Sequence, residues 1–365
     1  MRLKRILMCC LAFGLFVTTA AGDPSLTFTD MAGRKVTTPF DPGRILCLGP
    51  GALRLVVYLQ AQEKVVAVED MEKTKPGGRP YRHANPGFQQ LPSCGPGGPA
   101  AINKKPDMEK ILAAAPQVIF VTYMEAALAE DVQKTLQIPV VVLSYGSFAT
   151  FDETVFDALR IAGKVLNREK RADAVVAYFE SLRDDLQRRT AGIPAEGEGM
   201  PGVYVGGIGF RGSQGIDSTE QKYIPLDWVH ARNVAEGLPA AGGSHSFVDK
   251  ETLLRLNPDI IFIDGGGMAL VQDDYSQKSR YYSSLKAFAD RNVYSLLPFN
   301  WYTTNVGTAL ADAYAIGKIL YPDAFADIDP EQKCDEIYTY LVGKPVYAAM
   351  KKDYGAIGRV APFMK

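Results

Sequence analysis

The chain has 365 residues, which is long enough for two domains with separate hydrophobic cores. Its 40 Lys and Arg residues nearly balance its 41 Asp and Glu residues, so no charge excess indicates binding to nucleic acid or to an acidic membrane surface. We therefore expect no nucleic-acid partner.

The N-terminus has the pattern of a secretory signal peptide. The basic start Met1-Arg2-Leu3-Lys4-Arg5 precedes an apolar run from Ile6 to Val17 and the small residues of Thr19-Ala20-Ala21-Gly22. This run is shorter than the roughly 20 apolar residues that a membrane-spanning helix needs. We expect export to the periplasm after cleavage near residues 21–22. We expect no lipid anchor, because no cysteine directly follows that point.

Three cysteines remain after cleavage, namely Cys47, Cys94 and Cys334. An odd number in an exported protein allows one disulfide with a free thiol, or no disulfide at all. Cys47 lies in the apolar run from Ile45 to Leu48, which favours a buried, small hydrophobic residue. No C-x-x-C pair occurs, so neither a zinc ribbon nor a redox motif is indicated.

Residues 23–150 have the pattern of an α/β lobe. A hairpin is predicted first, and buried strands alternate with helices after it. The predicted elements are a hairpin over 26–37, strands at 44–48, 65–68, 118–121 and 140–143, and a helix near 53–59. Residues 74–101 are rich in Gly and Pro and predict a long loop, which in a compact domain is usually functional or disordered.

Residues 151–190 predict a connecting helix. Apolar residues follow helical spacing at Ala172, Val175, Val176, Phe179, Leu182 and Leu186, and Asn167 is the expected cap. At 1.5 Å per residue the helix would be roughly 33 Å long, and it would act as a strut. A second α/β lobe is expected over 191–325, opening with a strand at 203–205, and a helical tail over 326–365. The predicted fold is thus two similar α/β lobes with mainly parallel sheets, joined by one long α-helix, with a ligand cleft between the lobes.

One phrase occurs twice in the chain, as DMEKILAAAPQVIFV at 107–121 and DKETLLRLNPDIIFI at 249–263. In each copy an Asp is suited to cap a helix, a Glu stands in the first turn, a Pro ends the helix, and an apolar run follows. These residues are Asp107, Glu109 and Pro116 in the first copy, and Asp249, Glu251 and Pro258 in the second. Two copies indicate two similar lobes, because the period is too long for a solenoid.

Two short motifs could suggest other chemistry. Residues 207–212 match G-x-G-x-x-G after a strand, but no helical pattern opens there, so we interpret them as a flexible loop at a strand end. His83, His230 and His245 are widely separated. A metal site from His83 and His245 with a nearby Asp is possible, although surface or ligand-contact roles are favoured. No G-x-S-x-G elbow or acid/base pair occurs, so we expect no enzymatic activity and no cofactor.

Aromatic and basic side chains stand where predicted strands end. Asn300, Trp301 and Tyr302 follow the strand at 293–297 and precede a helix at 306–320. They could cover the core, or they could form the wall of a cleft. Similar positions hold Tyr81, Arg82, Tyr123 and Arg211. An Arg in such a place could bind a carboxylate, a phosphate-like group or an anionic chelate.

Taken together, the signal peptide, hairpin, two lobes, crossing helix and D-x-E…P repeat resemble one family over nearly the whole mature chain. This family is the periplasmic substrate-binding proteins of ABC importers for ferric siderophores, haem and cobalamin. The resemblance implies that Glu109 and Glu251 dock on arginines of the permease dimer. It also implies a ligand cleft at His245 and Trp301, with Phe210 and Arg211 nearby. The sequence departs from the aromatic that some relatives carry before the first repeat. Gly97-Gly98-Pro99-Ala100 stands there and weakens the case for a flat corrin ligand.

The resulting expectation is a monomeric, non-enzymatic binding protein that delivers a metal chelate, in the first instance a ferric siderophore-type complex, to an ABC importer with its ATPase. Two alternatives stay open at this point. One is a tetrahedral oxyanion such as molybdate, bound by Arg and backbone amides. The other is a periplasmic enzyme that uses the same cleft.

Overall fold

The computed structural model describes residues 24–147, 151–193, 200–210, 212–241 and 243–364. The predicted signal peptide lies outside these ranges, and so does the candidate ligand residue Arg211. In the described ranges, no helix has both the length and the apolar character needed to cross a bilayer.

The N-terminal lobe is built on a parallel sheet. An antiparallel ribbon of β1 (Ser25–Thr29) and β2 (Lys35–Pro39) precedes it, as predicted. The sheet comprises β3 (Ile45–Leu48), β4 (Val65–Ala67), β5 (Val118–Thr122) and β6 (Val140–Leu143), in the order β4-β3-β5-β6. Every residue of β3, β5 and β6 is buried, as in sheets that are covered on both faces.

The helices of this lobe are α1 (Ala52–Tyr58), α2 (Asp70–Lys73), α3 (Pro80–Ala84), α4 (Met108–Ala114) and α5 (Ala126–Leu136). The Gly/Pro-rich stretch 74–101 is more ordered than a long loop. It contains α3 and two 3-10 turns, Pro86–Gln90 and Pro99–Ala101. Proline at the first positions of these pieces suits helical turns, since its missing N–H would have no partner there.

The connector between the lobes holds the predicted long helix and a shorter helix before it. They are α6 (Thr154–Val165) and α7 (Glu169–Thr190), and α7 has 22 residues. Asn167 lies between them with φ 53°, and Arg168 rather than Asn167 occupies the N-cap of α7. A left-handed residue interrupts the helical hydrogen-bond ladder, which explains the break. The predicted apolar stripe of α7 is confirmed, since all six of its residues are buried.

The C-terminal lobe is also built on a parallel sheet, which has three strands in the order β11-β10-β7. A separate antiparallel pair is formed by β8 and β9. Its strands are β7 (Val203–Gly206), β8 (Ser218–Glu220), β9 (His245–Phe247), β10 (Ile260–Asp264) and β11 (Val293–Leu296). Its helices are α8 (Ile224–Asp227), α9 (Lys250–Leu256), α10 (Met268–Gln277), α11 (Ser279–Tyr282), α12 (Lys286–Ala289) and α13 (Val306–Leu320).

The tail consists of α14 (Pro330–Val342), α15 (Tyr347–Tyr354) and the turn Pro362–Met364. Helix α14 packs on α13 and also on α1 and α3 of the N-terminal lobe. The tail therefore ties the two lobes together. The three cysteines of the described chain, Cys47, Cys94 and Cys334, are buried and free.

The sequence repeat has the same structure in both lobes. Asp107 caps α4 by accepting a hydrogen bond from the Lys110 amide at 3.1 Å, and Asp249 caps α9 by accepting one from the Thr252 amide at 2.6 Å. Each helix ends in a left-handed residue directly before the proline, with φ 45° in α4 and φ 39° in α9. The strands that follow, β5 and β10, each lie inside their own sheet. Both predicted caps are confirmed.

Candidate ligand-binding cleft

Five of the predicted ligand residues follow the carboxyl ends of parallel strands. Tyr123 follows β5, Phe210 follows β7, and Asn300 to Tyr302 follow β11. Open α/β sheets bind ligands at this edge. Residues 298–305, which we call the crossing loop, run from β11 to α13 and contact the N-terminal lobe, so they lie where the two lobes meet.

Arg54 holds the crossing loop from the N-terminal side. This fully buried residue of α1 donates hydrogen bonds to the carbonyl oxygens of four consecutive residues, 301–304, at distances between 2.8 and 3.2 Å. The rings of Tyr81 and Tyr145 flank its guanidinium at 5.3 and 5.8 Å, which favours the cation. Arg54 thereby supplies donors to buried carbonyls, two of which, those of Trp301 and Thr303, also accept from Nδ2 of Asn305 at 3.3 and 3.5 Å.

The crossing loop has unusual backbone geometry. Tyr302 and Thr303 have φ values of 55° and 61°, in the left-handed region that such side chains rarely adopt. Tyr123, at the facing strand end, has φ 56°, and its hydroxyl lies 3.1 Å from the Thr303 hydroxyl. Strained residues of this kind concentrate at functional sites, where the surrounding contacts maintain them.

Tyr302 makes a further bond across the lobes. Its hydroxyl donates to Oε2 of Glu69 at 2.6 Å and accepts from the Gly98 amide at 3.0 Å. Oε1 of Glu69 accepts from the Gly49 amide at 3.1 Å. Burial raises the pKa of Glu69 to about 7. The Gly97-Gly98 segment before the first repeat thus donates a backbone hydrogen bond to Tyr302.

Trp301 both packs against the protein and remains partly exposed. Its ring is tilted on that of Tyr354 at 6.2 Å. A Cβ added at Gly77 would come within 2.9 Å of Cζ2 of Trp301, so the indole lies directly on that turn. The predicted packing against the protein is thus present, and the cleft-wall role of Trp301 stays a prediction.

The C-terminal lobe contributes an aromatic cluster of Phe210, His245 and Phe247. The Phe210 and His245 rings stack at 4.3 Å, and Phe247 meets His245 edge-on at 4.6 Å. Phe247 is 45% exposed, so the cluster has an open apolar side. Nε2 of His245 lies 2.8 Å from the Ser218 hydroxyl, and buried Nδ1 has no hydrogen-bond partner in the described ranges. Burial lowers the pKa of His245, which favours the neutral ring.

Two buried carboxyl groups, Glu220 and Asp264, interact with each other in this lobe, and Glu220 adjoins the cluster. Glu220 is the register partner of His245 across β8 and β9, and its side chain is hydrogen-bonded to Asn300. Asp264 ends β10 and accepts from the Gly266 amide at 2.7 Å. Burial raises the pKa of Glu220 to about 8, with a contribution from Asp264, and burial raises that of Asp264 to about 7. No Lys or Arg of the described chain forms an ion pair with either group.

Tyr81 and Arg82 occupy the interior of the N-terminal lobe, each only 1% exposed. The Tyr81 hydroxyl donates to Oε1 of Glu72 at 2.7 Å, and Nε of Arg82 lies 3.6 Å from its Oε2. The structure does not bring these two side chains to the aromatic cluster. Instead, Tyr81 supports Arg54, and Arg82 donates to the Asn85 carbonyl at 3.0 Å.

The histidines do not assemble into a metal centre. In the part of the chain that the structure describes, no group of three or more His, Cys, Asp or Glu side chains could hold an ion. Nε2 of His83 lies 2.9 Å from the Gly77 carbonyl, and Nδ1 of His230 lies 2.9 Å from the Thr190 hydroxyl. Both histidines thus contact local protein groups.

The two repeat glutamates lie on the surface. Glu109 and Glu251 are exposed, and neither side chain has a hydrogen-bond or ion-pair partner among the described residues. Their nearest cations in sequence are engaged elsewhere, since Lys110 pairs with Asp107 at 3.4 Å and Lys250 with Asp274 at 3.4 Å. Both carboxylates are therefore available to a partner.

Comparison with known proteins gives the same class. The family model for periplasmic binding proteins matches residues 45–298, so the chain belongs to that family. The two lobes and helix α7 give it the class III form, which is that of solute-binding proteins of ABC importers. No curated protein shows a significant sequence match.

Solved structures share the fold at low identity. A periplasmic solute-binding protein from Veillonella parvula has a TM-score of 0.71 and 18% identity, covering 91% of this chain and 97% of its own. The molybdate-bound protein MolA from Haemophilus influenzae has a TM-score of 0.68 and 20% identity, covering 88% and 98%. A protein of an Fe³⁺-hydroxamate transport system from Saccharomonospora viridis has a TM-score of 0.53 and 18% identity, covering 81% and 99%.

Several residues at the site were not predicted from the sequence, namely Arg54, Glu69, Glu220 and Asp264. A charged residue inside an apolar helix, as in ALRLVVYL, signals a buried role for Arg54, but not its partners 250 residues away. Asp264 ends the strand of the second repeat. A strict rule that selects polar residues at the carboxyl ends of predicted strands, which we call the strand-end rule, would have included it. Glu220 follows only a three-residue strand, which has no clear pattern.

Proposed function

We propose that this binding protein carries a metal chelate without net negative charge, of the ferric hydroxamate type, between its lobes. The observation that supports this most is the side of the cleft formed by the C-terminal lobe, which we call the C-terminal wall and which comprises Phe210, His245, Phe247, Glu220 and Asp264. The aromatic cluster, in which Phe247 is exposed, adjoins Glu220 across β8 and β9, and Asp264 interacts with Glu220; neither buried carboxyl group has a cationic partner in the described ranges. Aromatic rings bind the organic shell of a chelate, and the carboxyl groups favour positive charge or hydrogen-bond donors.

An oxyanion fits this wall less well. A dianion requires donors or cations that are free to bind it, and its charge opposes the ionised form of a nearby buried carboxyl group. Two described arginines near the crossing loop are already engaged within the protein, since Arg54 donates to carbonyls and Arg79 donates to Glu72 at 3.0 Å. We assign the ligand to the space between the lobes, where the crossing loop lies.

Calorimetric titration tests this function. We expect binding of a neutral or cationic ferric hydroxamate, weaker binding of an anionic ferric catecholate, and none of molybdate or of metal-free chelator. Binding of molybdate alone would contradict the proposal and establish the oxyanion alternative. Turnover of the chelate, detected as a chemically altered product, would instead establish the enzyme alternative.

Side-chain variants test the location. Trp301→Ala removes an aromatic wall, and we expect a loss of affinity equivalent to about 1–3 kcal/mol, as for anchor residues at binding sites. Arg211→Ala, at a position that only the sequence assigns to the site, is expected to weaken binding as well. Phe40→Ala is the matched control, because Phe40 is an exposed aromatic at the end of β2. Normal affinity of both site variants would place the ligand elsewhere. A lowered melting temperature with intact affinity would make Trp301 a core residue.

We further propose that Glu109 and Glu251 dock the loaded protein on the permease dimer. Two exposed, unpaired carboxylates occupy the same position of α4 and α9, one in each lobe. A two-fold symmetric partner presents equivalent basic sites at a fixed separation, and a repeated carboxylate matches that symmetry. Charges of this kind set orientation and encounter rate.

A further inference from the structure

Two well-exposed leucines occupy the same position in the two copies of the repeat. Leu112 of α4 is 54% exposed and Leu254 of α9 is 37% exposed. Each stands three residues after its repeat glutamate, and residues three apart are neighbours on a helix surface. We call Glu109 with Leu112 the N-lobe patch, and Glu251 with Leu254 the C-lobe patch.

Packing within the protein does not explain these leucines. The residue before each one, Ile111 in α4 and Leu253 in α9, is 0% and 1% exposed and attaches the helix to its sheet. Leucine favours helices, but other exposed positions of α4 and α9 hold Lys, Ala or Arg, which do so equally well. Only three other large apolar side chains of the described chain are comparably exposed, and none lies in a repeat helix.

We propose that Leu112 and Leu254 are paired apolar anchors that enter two equivalent pockets of the two-fold symmetric permease, beside the cations that receive Glu109 and Glu251. The inference rests on the docking function proposed above and adds a second component to it. Each pocket is expected to combine a basic side chain with an apolar lining. The same geometry at both patches fits the symmetry of such a partner.

The two components should have different kinetic effects. Exposed charges speed association and lose their effect as salt screens them. Buried apolar anchors mainly slow dissociation, and they depend little on salt. This difference allows the leucines to be tested separately from the glutamates.

The test measures binding of the full-length mature protein to its cognate importer in nanodiscs, by biolayer interferometry at low and high salt. Leu112→Ala and Leu254→Ala are each expected to dissociate about tenfold faster, with an unchanged salt dependence. Glu109→Gln and Glu251→Gln are expected to associate more slowly and with a weaker salt dependence. Leu270→Ala is the matched control, because Leu270 is 46% exposed on α10, outside the repeat, and it should bind normally.

The possible outcomes distinguish the proposed leucine anchors from the glutamate docking on which they rest. If the repeat leucine variants bind like Leu270→Ala while the glutamate variants are impaired, the anchors are wrong and glutamate docking stands. If all variants bind like the unmodified protein, both are wrong. Circular dichroism and retained chelate affinity verify that each variant is folded, and exposed Leu→Ala changes are expected to leave both intact.

Discussion

Arg54 fixes the crossing loop by four hydrogen bonds to carbonyl oxygens, and it does so from the other lobe. Arg54→Met keeps the volume and removes the donors. We expect the free energy of unfolding to fall by about 3 kcal/mol, because buried carbonyls lose their partners. We also expect weaker chelate binding, because Trp301 and Tyr302 lose their fixed placement. Urea denaturation and calorimetry measure the two effects.

Arg160→Met is the control for this prediction, because Arg160 is an exposed residue of α6 that pairs only with surface aspartates. It should change neither quantity by more than about 0.5 kcal/mol. Equal effects of the two substitutions would show that the loop does not depend on Arg54.

Because three buried carboxyl groups have raised pKa values, we expect the stability of the protein to fall as the pH rises. Burial raises the pKa values of Glu69 and Asp264 to about 7 and that of Glu220 to about 8. The folded state then holds these protons more tightly than the unfolded chain does. The free energy of unfolding should therefore decrease as the pH rises from about 5 to about 8. Urea denaturation at several pH values measures it.

Glu220→Gln should make this pH dependence shallower, whereas Glu180→Gln, at an exposed position of α7, should leave it unchanged. An increase of stability over the same pH range would contradict the burial of these groups.

At single residues, the sequence predicts which side chains follow a strand better than it predicts whether they are buried and what they contact. A strand-end rule found Tyr123, Trp301 and Tyr302, which the structure brings to the meeting point of the lobes. Tyr81 and Arg82 were selected because they lie in the predicted Gly/Pro loop, but their stretch folds as α3 and is buried. A Gly/Pro-rich composition indicates turns, but it does not tell which turns cover a core. Partners such as Arg54 and residues 301–304 are fixed only by tertiary packing.

Among the elements, α7 and the tail limit movement between the lobes. Helix α7 is a continuous strut of 22 residues, and α14 packs on helices of both lobes. We expect only slight closure on ligand binding, unlike proteins whose lobes are joined by flexible segments. Small-angle scattering with and without ferric hydroxamate measures it. A large contraction would contradict the strut.

The sequence predicted the positions of helices and strands more accurately than it predicted the contacts of single residues. Buried strands and amphipathic helices have strong periodic patterns, so β6 and α13 were predicted with their observed bounds. A helix capped at Asn167 was predicted, close to the observed start of α7 at Glu169, but α6 was not recognised as a separate helix before it. The repeat was clear because cap, proline and strand recur at one spacing in both copies.

For the whole molecule, the paired glutamates predict a transport phenotype without a binding phenotype. Glu109→Ala and Glu251→Ala should keep chelate affinity but lower uptake and ATPase stimulation in the reconstituted importer. Lys at either position should lower them further, because repulsion replaces attraction. Glu180→Ala serves as an exposed control outside the repeats. Unchanged uptake by the double alanine variant would limit both glutamates to a favourable helix-dipole interaction.

The central claim is that a metal chelate occupies the space between the lobes, and native mass spectrometry of the protein purified from its own host tests it most directly. We predict a bound species with the isotope pattern of iron and the added mass of an organic chelator. Loss of this species in Trp301→Ala, but not in Phe40→Ala, would place it in the cleft. A bound molybdate, or another inorganic anion without an organic chelator, at one per protein molecule would contradict the account.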